Sequence, residues 1–224
     1  MGATELLASE VGAEATSRLL TDVPRAFGTQ IMDALMTALV GSVGTWMDAP
    51  GVVVNVEGHG RDESFEGANL FATVGWFTTL YPVYVPAMSS DIAASLEATQ
   101  ASLAAIPGKG LGFGVLKYMS AVGDRLRALP QPEISFNYFG QMDATYSQRG
   151  RFRPNFGYVG ELMSPRTPRA HLIELNTSVT HGRLRSQWIY SRDHFKPSTI
   201  ERLADSFNAT LQAIVAALPG DPGG

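Results

Sequence analysis

The run Val52-Val53-Val54-Asn55-Val56 constrains this chain more than any other segment. Four β-branched side chains in five positions disfavour a helix and fit a short, fully buried strand. Before it lies TQIMDALMTALVGSVGTW (29–46), where Ile31, Leu35, Leu39 and Val43 recur at steps of four. That spacing predicts a helix with one apolar face, capped by Thr29 and ended by the turn residues DAPG at 48–51. A buried strand beside an apolar-faced helix requires a sheet with helices packed on it.

The other segments interleave in the same way. Residues 4–20 are helix-prone, and Pro24 interrupts them. Residues 73–85, TVGWFTTLYPVYV, are aromatic and β-prone, but Pro82 excludes a continuous central strand there. Residues 89–106 predict a helix stopped by Pro107-Gly108, and VLKYMSAV (115–122) a shorter one. Strand candidates follow at 132–140, 156–163, 170–179 and 184–191, the last two flanking the hairpin turn THGR. A final helix covers about 198–217, before the loose tail PGDPGG. Helices and strands alternate without a strict βαβ rhythm, so the expected class is α/β of the α+β type, with a mixed sheet flanked by helices.

Composition narrows the function. Hydrophobic residues make up 45% and charged residues 17% of 224, which fits a well-packed globular protein. The net charge of −4 provides no basic field for nucleic acid or an anionic membrane. No apolar run reaches the length of a membrane span, and no signal segment opens the chain, so a cytoplasmic location is expected. Cysteine is absent, which removes disulfides, thiolate zinc sites and a cysteine nucleophile. The four histidines are widely spaced, and no metal site is expected.

Two clusters carry chemistry. In VEGHGRD (56–62) a carboxylate follows a buried strand directly, and desolvation there raises its pKa toward the range of a general base. Glu57 is therefore either such a base or a structural ion-pair partner of Arg61. In FNYFGQMD (136–143), Asn137 and Tyr138 can donate hydrogen bonds to a developing oxyanion, or the segment is aromatic core with a turn at Gly140. The glycines of PGKGLGFG (107–114) match neither the dinucleotide nor the phosphate-loop pattern and read as a turn where backbones approach closely.

Taken in order, these segments resemble the epimerization domains of nonribosomal peptide synthetases. EGHGRD (57–62) resembles that family's EGHGRE motif, and TVGWFTTLYPV (73–83) its R-T-V-G-W-F-T-x-x-Y-P-V motif. PGKGLGFG (107–114) resembles P-x-x-G-x-G-x-G, FNYFGQMD (136–143) resembles F-N-Y-L-G-Q-F-D, and IMDALMTALV (31–40) is a looser match to D-x-L-L-x-A. Ala72 replaces the family's arginine before T-V-G-W-F, and Asp62 its final glutamate in the first motif.

The resemblance spans about residues 22–215. It implies that residues 1–218 form the C-terminal lobe of a chloramphenicol-acetyltransferase-like domain, with 219–224 a flexible tail. The family's H-H-x-x-x-D-G motif belongs to an N-terminal lobe that this sequence does not contain. The implied activity is inversion of the α-carbon of an aminoacyl or peptidyl thioester by two-base proton transfer. The chain binds no cofactor of its own on this view, and the substrate is tethered to the phosphopantetheine of a peptidyl carrier protein.

The resemblance also implies site roles. Glu57 is one acid/base, and Asn137 and Tyr138 orient the substrate, stabilise the enolate or relay a proton. His59, Arg61, Trp76, Gly110, Gly112 and Gln141 shape the tunnel. The implied partners are the carrier protein, the N-terminal lobe and a downstream synthetase subunit. Two other readings stand beside this one: the C-terminal lobe of a peptide-bond-forming condensation domain, and a non-catalytic module that docks carrier proteins.

Overall fold

In the computed structural model, residues 4–61, 70, 72–142 and 167–219 are described. The strands are β1 (Thr4–Val11), β2 (Gly51–Gly58), β3 (Thr79–Pro86), β4 (Ile134–Gln141), β5 (Ile173–Thr180) and β6 (Arg183–Ser191). The helices are α1 (Ala13–Phe27), α2 (Ile31–Met47), α3 (Ile92–Ala104), α4 (Phe113–Met119), α5 (Gly123–Ala128) and α6 (Pro197–Ala216), with a 3-10 turn at Pro107–Gly110.

The strands form one mixed sheet in the order β1-β6-β5-β4-β2-β3. β2, β4 and β5 run parallel at its centre, and the other neighbours pair antiparallel. The mixed sheet with helices is the expected class. One face carries Val54, Val56, Ile134, Phe136, Ile173, Leu175, Trp188 and Tyr190, all buried in the core.

Helices cover that face. Residues Asp33 to Gly44 of α2 are buried without a break, because α2 packs against α6, α3 and the sheet at once. A helix enclosed on every side must be apolar around its circumference, so an apolar stripe underdescribes it. Trp188 meets Phe207 of α6 edge-to-face at 5.7 Å, and Thr37 bonds Thr99 of α3 at 2.8 Å. No single helix among the described residues is long and apolar enough to cross a membrane.

Three expectations need correction. Residues 4–11 form a strand, not the start of a helix: β1 pairs with β6 from Thr4↔Ser191 to Val11↔Leu184. Helix begins at Ala13, and Pro24 lies inside α1 rather than before a break. The cap of α2 is also different. Gln30 is the N-cap, and its backbone N–H donates to the Asp33 carboxylate at 2.7 Å. Thr29 does not cap, and its buried hydroxyl has no partner among the described residues.

The third correction bears on function. β2 is not buried on both faces: Val52, Val54 and Val56 point into the core, while Val53 is 44% exposed and Asn55 and Glu57 are half-buried. Among the described residues, the face they share carries no helical layer at the centre of the sheet. The remaining expected elements hold: Pro82 sits on the edge strand β3, Asp91 caps α3 by accepting from the Ala94 N–H at 3.1 Å, and His181-Gly182 turn with φ of 53° and 68°. Such paired left-handed residues close a two-residue hairpin. The strand expected at 156–163 lies outside the described residues.

Candidate active site

The open face of the sheet is polar, in line with the period-2 alternation of its strands. Parallel pairing sets Val54 against Ile134 and Val56 against Phe136. The next residue on each strand, Glu57 and Asn137, therefore falls level on the open face. The Asn137 side chain is close enough to act on the Glu57 carboxylate as a hydrogen-bond donor that lowers its pKa. Asn137 in turn lies opposite Asn176 of β5. Glu57 is the penultimate residue of β2, while Asn137 and Asn176 lie midway along β4 and β5.

Three effects act on Glu57. Burial raises its pKa above the usual carboxylate value, the Asn137 hydrogen bond opposes this, and the charge of Glu174 adds to the rise. Glu174 faces the same side from β5, opposite Ser135, and is paired with Arg169 at 3.0 Å. The result is a carboxylate that is oriented by an amide yet reluctant to ionise, the combination that suits a proton-transfer group.

Arg61 is not the ion-pair partner of Glu57. Its guanidinium donates to three carbonyl oxygens, those of Leu70, Thr73 at 2.8 Å and Gly75 at 3.1 Å. It also stacks on the Phe77 ring, 4.4 Å from the centroid. The imidazole of His59 accepts the Arg61 backbone N–H through Nδ1 at 3.0 Å. Gly60, at φ 62°, is buried where an added Cβ would fall on the carbonyl oxygen of Phe77. Gly60 and Arg61 thus tie the end of β2 to Leu70, Thr73, Gly75 and Phe77, and the guanidinium is spent on backbone rather than on Glu57. Asp62 and Asp143 lie outside the described residues.

Replacing Arg61 with Ala is expected to release this loop selectively. Backbone amides of residues 73–77 should exchange faster with solvent and the segment should become cleavable by protease, with little change in global melting. Lys should not rescue the loop, because an ammonium cannot span three carbonyls and stack on a ring together.

The tethered loop borders a cleft of about 570 Å³ between β3 and α4. Asn55, Trp76, Phe77, Leu80, Gly110 and Phe113 are among its walls, and Trp76 is 89% exposed at its mouth. Asn55 precedes Glu57 by two residues on the same strand face, about 7 Å away along the chain. The cleft therefore ends beside the carboxylate. Gly110, at φ 77°, lets the 3-10 turn close onto the Tyr81 ring, which is the close backbone approach expected of that glycine-rich segment. Gly112 has open space around it.

The structure separates Tyr138 from this group. It alternates to the helix-covered side of β4, where it packs against the core, and burial raises its phenol pKa. Gln141 ends β4 beyond a register shift and is exposed. Two residues that sequence reasoning missed are joined here instead, Asn55 in the cleft wall and the buried His171 behind it. Asn55 and His171 are hydrogen-bonded, Nδ2 to Nε2, at 2.9 Å. They are 116 positions apart, and only the β2–β4–β5 order brings them together. Among the described residues, no group of His, Asp and Glu side chains could hold a metal ion.

Residues 4–220 match the Condensation domain family. A linear gramicidin synthase of Brevibacillus parabrevis is 40% identical over 206 residues, which is 91% of this chain and 4% of that protein. A chondramide synthase of Chondromyces crocatus is 37% identical over 203 residues, 89% of this chain and 5% of the synthase. Among solved structures, the epimerization domain from the third module of tyrocidine synthetase B superposes with a TM-score of 0.85 at 35% identity. The match covers 95% of this chain and 48% of that one. The first condensation domain of the CDA synthetase shares the fold, with a TM-score of 0.63 at 14% identity; 96% of this chain and 46% of that one are covered. This chain thus spans about half of these two solved domains and a small fraction of the synthases.

Proposed function

The chain belongs to the condensation-domain family, and on that footing we propose that it is the C-terminal lobe of a nonribosomal peptide synthetase epimerization domain. Its reaction is the inversion, L to D, of the α-carbon of an aminoacyl or peptidyl thioester held on a carrier protein's phosphopantetheine. The observation that carries this reading is the Glu57–Asn137 pair on the open sheet face at the end of the cleft.

Inversion next to a thioester carbonyl removes a proton from one face of the α-carbon and returns one to the other. Glu57 serves as the acid/base on one face. Its raised pKa brings a carboxylate closer to the basicity needed at neutral pH, and Asn137 holds it in one orientation. The second acid/base is a histidine of the N-terminal lobe, contributed by the H-H-x-x-x-D-G segment. The cleft, with Trp76 at its mouth, receives the tethered arm. Tyr138 supports β4 from the core side.

The pH dependence follows from the groups around Glu57. Only its ionised form removes a proton, so the rate should rise with pH through the Glu57 pKa. Asn137→Leu removes the hydrogen bond that favours the carboxylate, and should move this acid limb to higher pH. Glu174→Gln removes a repelling charge, and should move it to lower pH. Opposite displacements, read from pH–rate profiles of the complete domain, are the expected outcome.

The deciding experiment supplies a carrier-bound aminoacyl thioester in deuterated water to a domain made of this lobe and its N-terminal lobe. Deuterium should enter the α-position and the thioester should become a mixture of L and D forms. Peptide-bond formation with an acceptor carrier, without α-exchange, would instead make the chain a condensation lobe. The 224-residue chain alone should exchange nothing.

A further inference from the structure

We propose that His171 is a positioning residue that fixes the Asn55 amide so that its Oδ1 faces the cleft and accepts a hydrogen bond from the substrate's α-nitrogen. This deepens the epimerization reading and rests on it for the identity of the substrate.

An amide –NH2 can only donate, so the 2.9 Å contact from Asn55 Nδ2 requires His171 Nε2 to accept. That assigns the ring proton to Nδ1 in a neutral imidazole. His171 is only 9% exposed, and its environment maintains the neutral form. Burial lowers its pKa, Glu174 opposes this, and Arg169 adds to the lowering. The ring's backbone is also held, because Arg169 Nε donates to the His171 carbonyl at 3.1 Å while its Nη2 reaches Glu174 and the Ile189 carbonyl.

With its nitrogen turned to His171 through one N–H, Asn55 has one acceptor group for the cleft it lines. That group is a carbonyl oxygen, an acceptor. An aminoacyl or peptidyl thioester offers an N–H donor on the very carbon that is inverted. Glu57 stands two residues along the same strand face. Holding that nitrogen at Asn55 would therefore decide which substituent of the α-carbon is turned toward the Glu57 carboxylate. An Asn55 turned over would present –NH2 to an N–H and repel it.

Two measurements test this. In nitrogen-15 NMR of the 224-residue chain near neutral pH, His171 should show the tautomer protonated on Nδ1. A proton on Nε2 would overturn the proposal. In the complete domain, His171→Leu should lower kcat/KM for the carrier-bound aminoacyl thioester by about tenfold, the scale of one lost hydrogen bond. His171→Gln, which restores an acceptor oxygen, should recover most of it. Adding Asn55→Ala to His171→Leu should cost no more than Asn55→Ala alone. If His171→Leu only lowers the melting temperature and leaves kcat/KM of the folded enzyme unchanged, the positioning role is overturned. A wild-type domain that forms peptide bonds without α-exchange would overturn the functional reading and the substrate assigned to Asn55. The tautomer would then decide the His171–Asn55 contact independently.

Discussion

Glu57→Gln in the complete domain is expected to lower the rate of stereoinversion by about 10²–10⁴-fold, the usual contribution of a positioned acid/base. The loss should appear in kcat with little change in KM, because Gln keeps the shape of the side chain and removes only its proton chemistry. The fold should not suffer. Burial and Glu174 both disfavour the ionised carboxylate. A group whose folded-state pKa is raised favours the fold at low pH, and that contribution disappears as pH rises through its folded value. At neutral pH the ionised Glu57 is therefore a liability to stability, and the neutral Gln should leave the melting temperature unchanged or raise it. Lower activity with undiminished stability separates a functional carboxylate from a structural one.

Gly60→Ala should have the largest effect of any single methyl group at the site. The backbone there is left-handed at φ 62°, and the new Cβ would coincide with the Phe77 carbonyl oxygen. Backbone cannot yield as a flexible side chain does, and Phe77 is held in turn by its stacking under Arg61. Strain and clash together should cost about 3 kcal/mol, or roughly 6–12 °C in melting temperature for a chain of this size. Activity should fall as well, because the same turn ends the strand that presents Glu57. Gly112→Ala is the matched control. Its surroundings are open, and it should be neutral within about 0.5 kcal/mol by thermal melting.

Sequence made the central elements legible because their signals are local. A valine run, a four-residue apolar step and a Pro-Gly stop each speak for their own segment, and β2, α2 and α3 follow them. The segment TELLASE misled for the converse reason. Its residues favour a helix individually, but the edge of β6 offers eight paired positions to residues 4–11, and tertiary pairing outweighs propensity. Glu57 and Asn137 were legible as clusters, yet only the parallel register of β2 and β4 shows that they face each other. Arg61 was read against its nearest carboxylate. In the fold it finds three backbone carbonyls from residues 70–75, a partner set with no sequence signature. Asn55 and His171 had none either, since neither stands in a charged or glycine-rich motif that marks chemistry.

The central claim is that Glu57 performs one half of a two-sided proton transfer, with the other half supplied from the facing lobe. The most direct test offers the Glu57→Gln domain either the L- or the D-aminoacyl thioester on its carrier, in deuterated water, and follows loss of the α-hydrogen. Exchange should survive from one stereoisomer only, the one whose hydrogen faces the opposite lobe, and no inversion should accompany it. Exchange from both stereoisomers at wild-type rates, with inversion intact, would contradict the account and remove Glu57 from the chemistry.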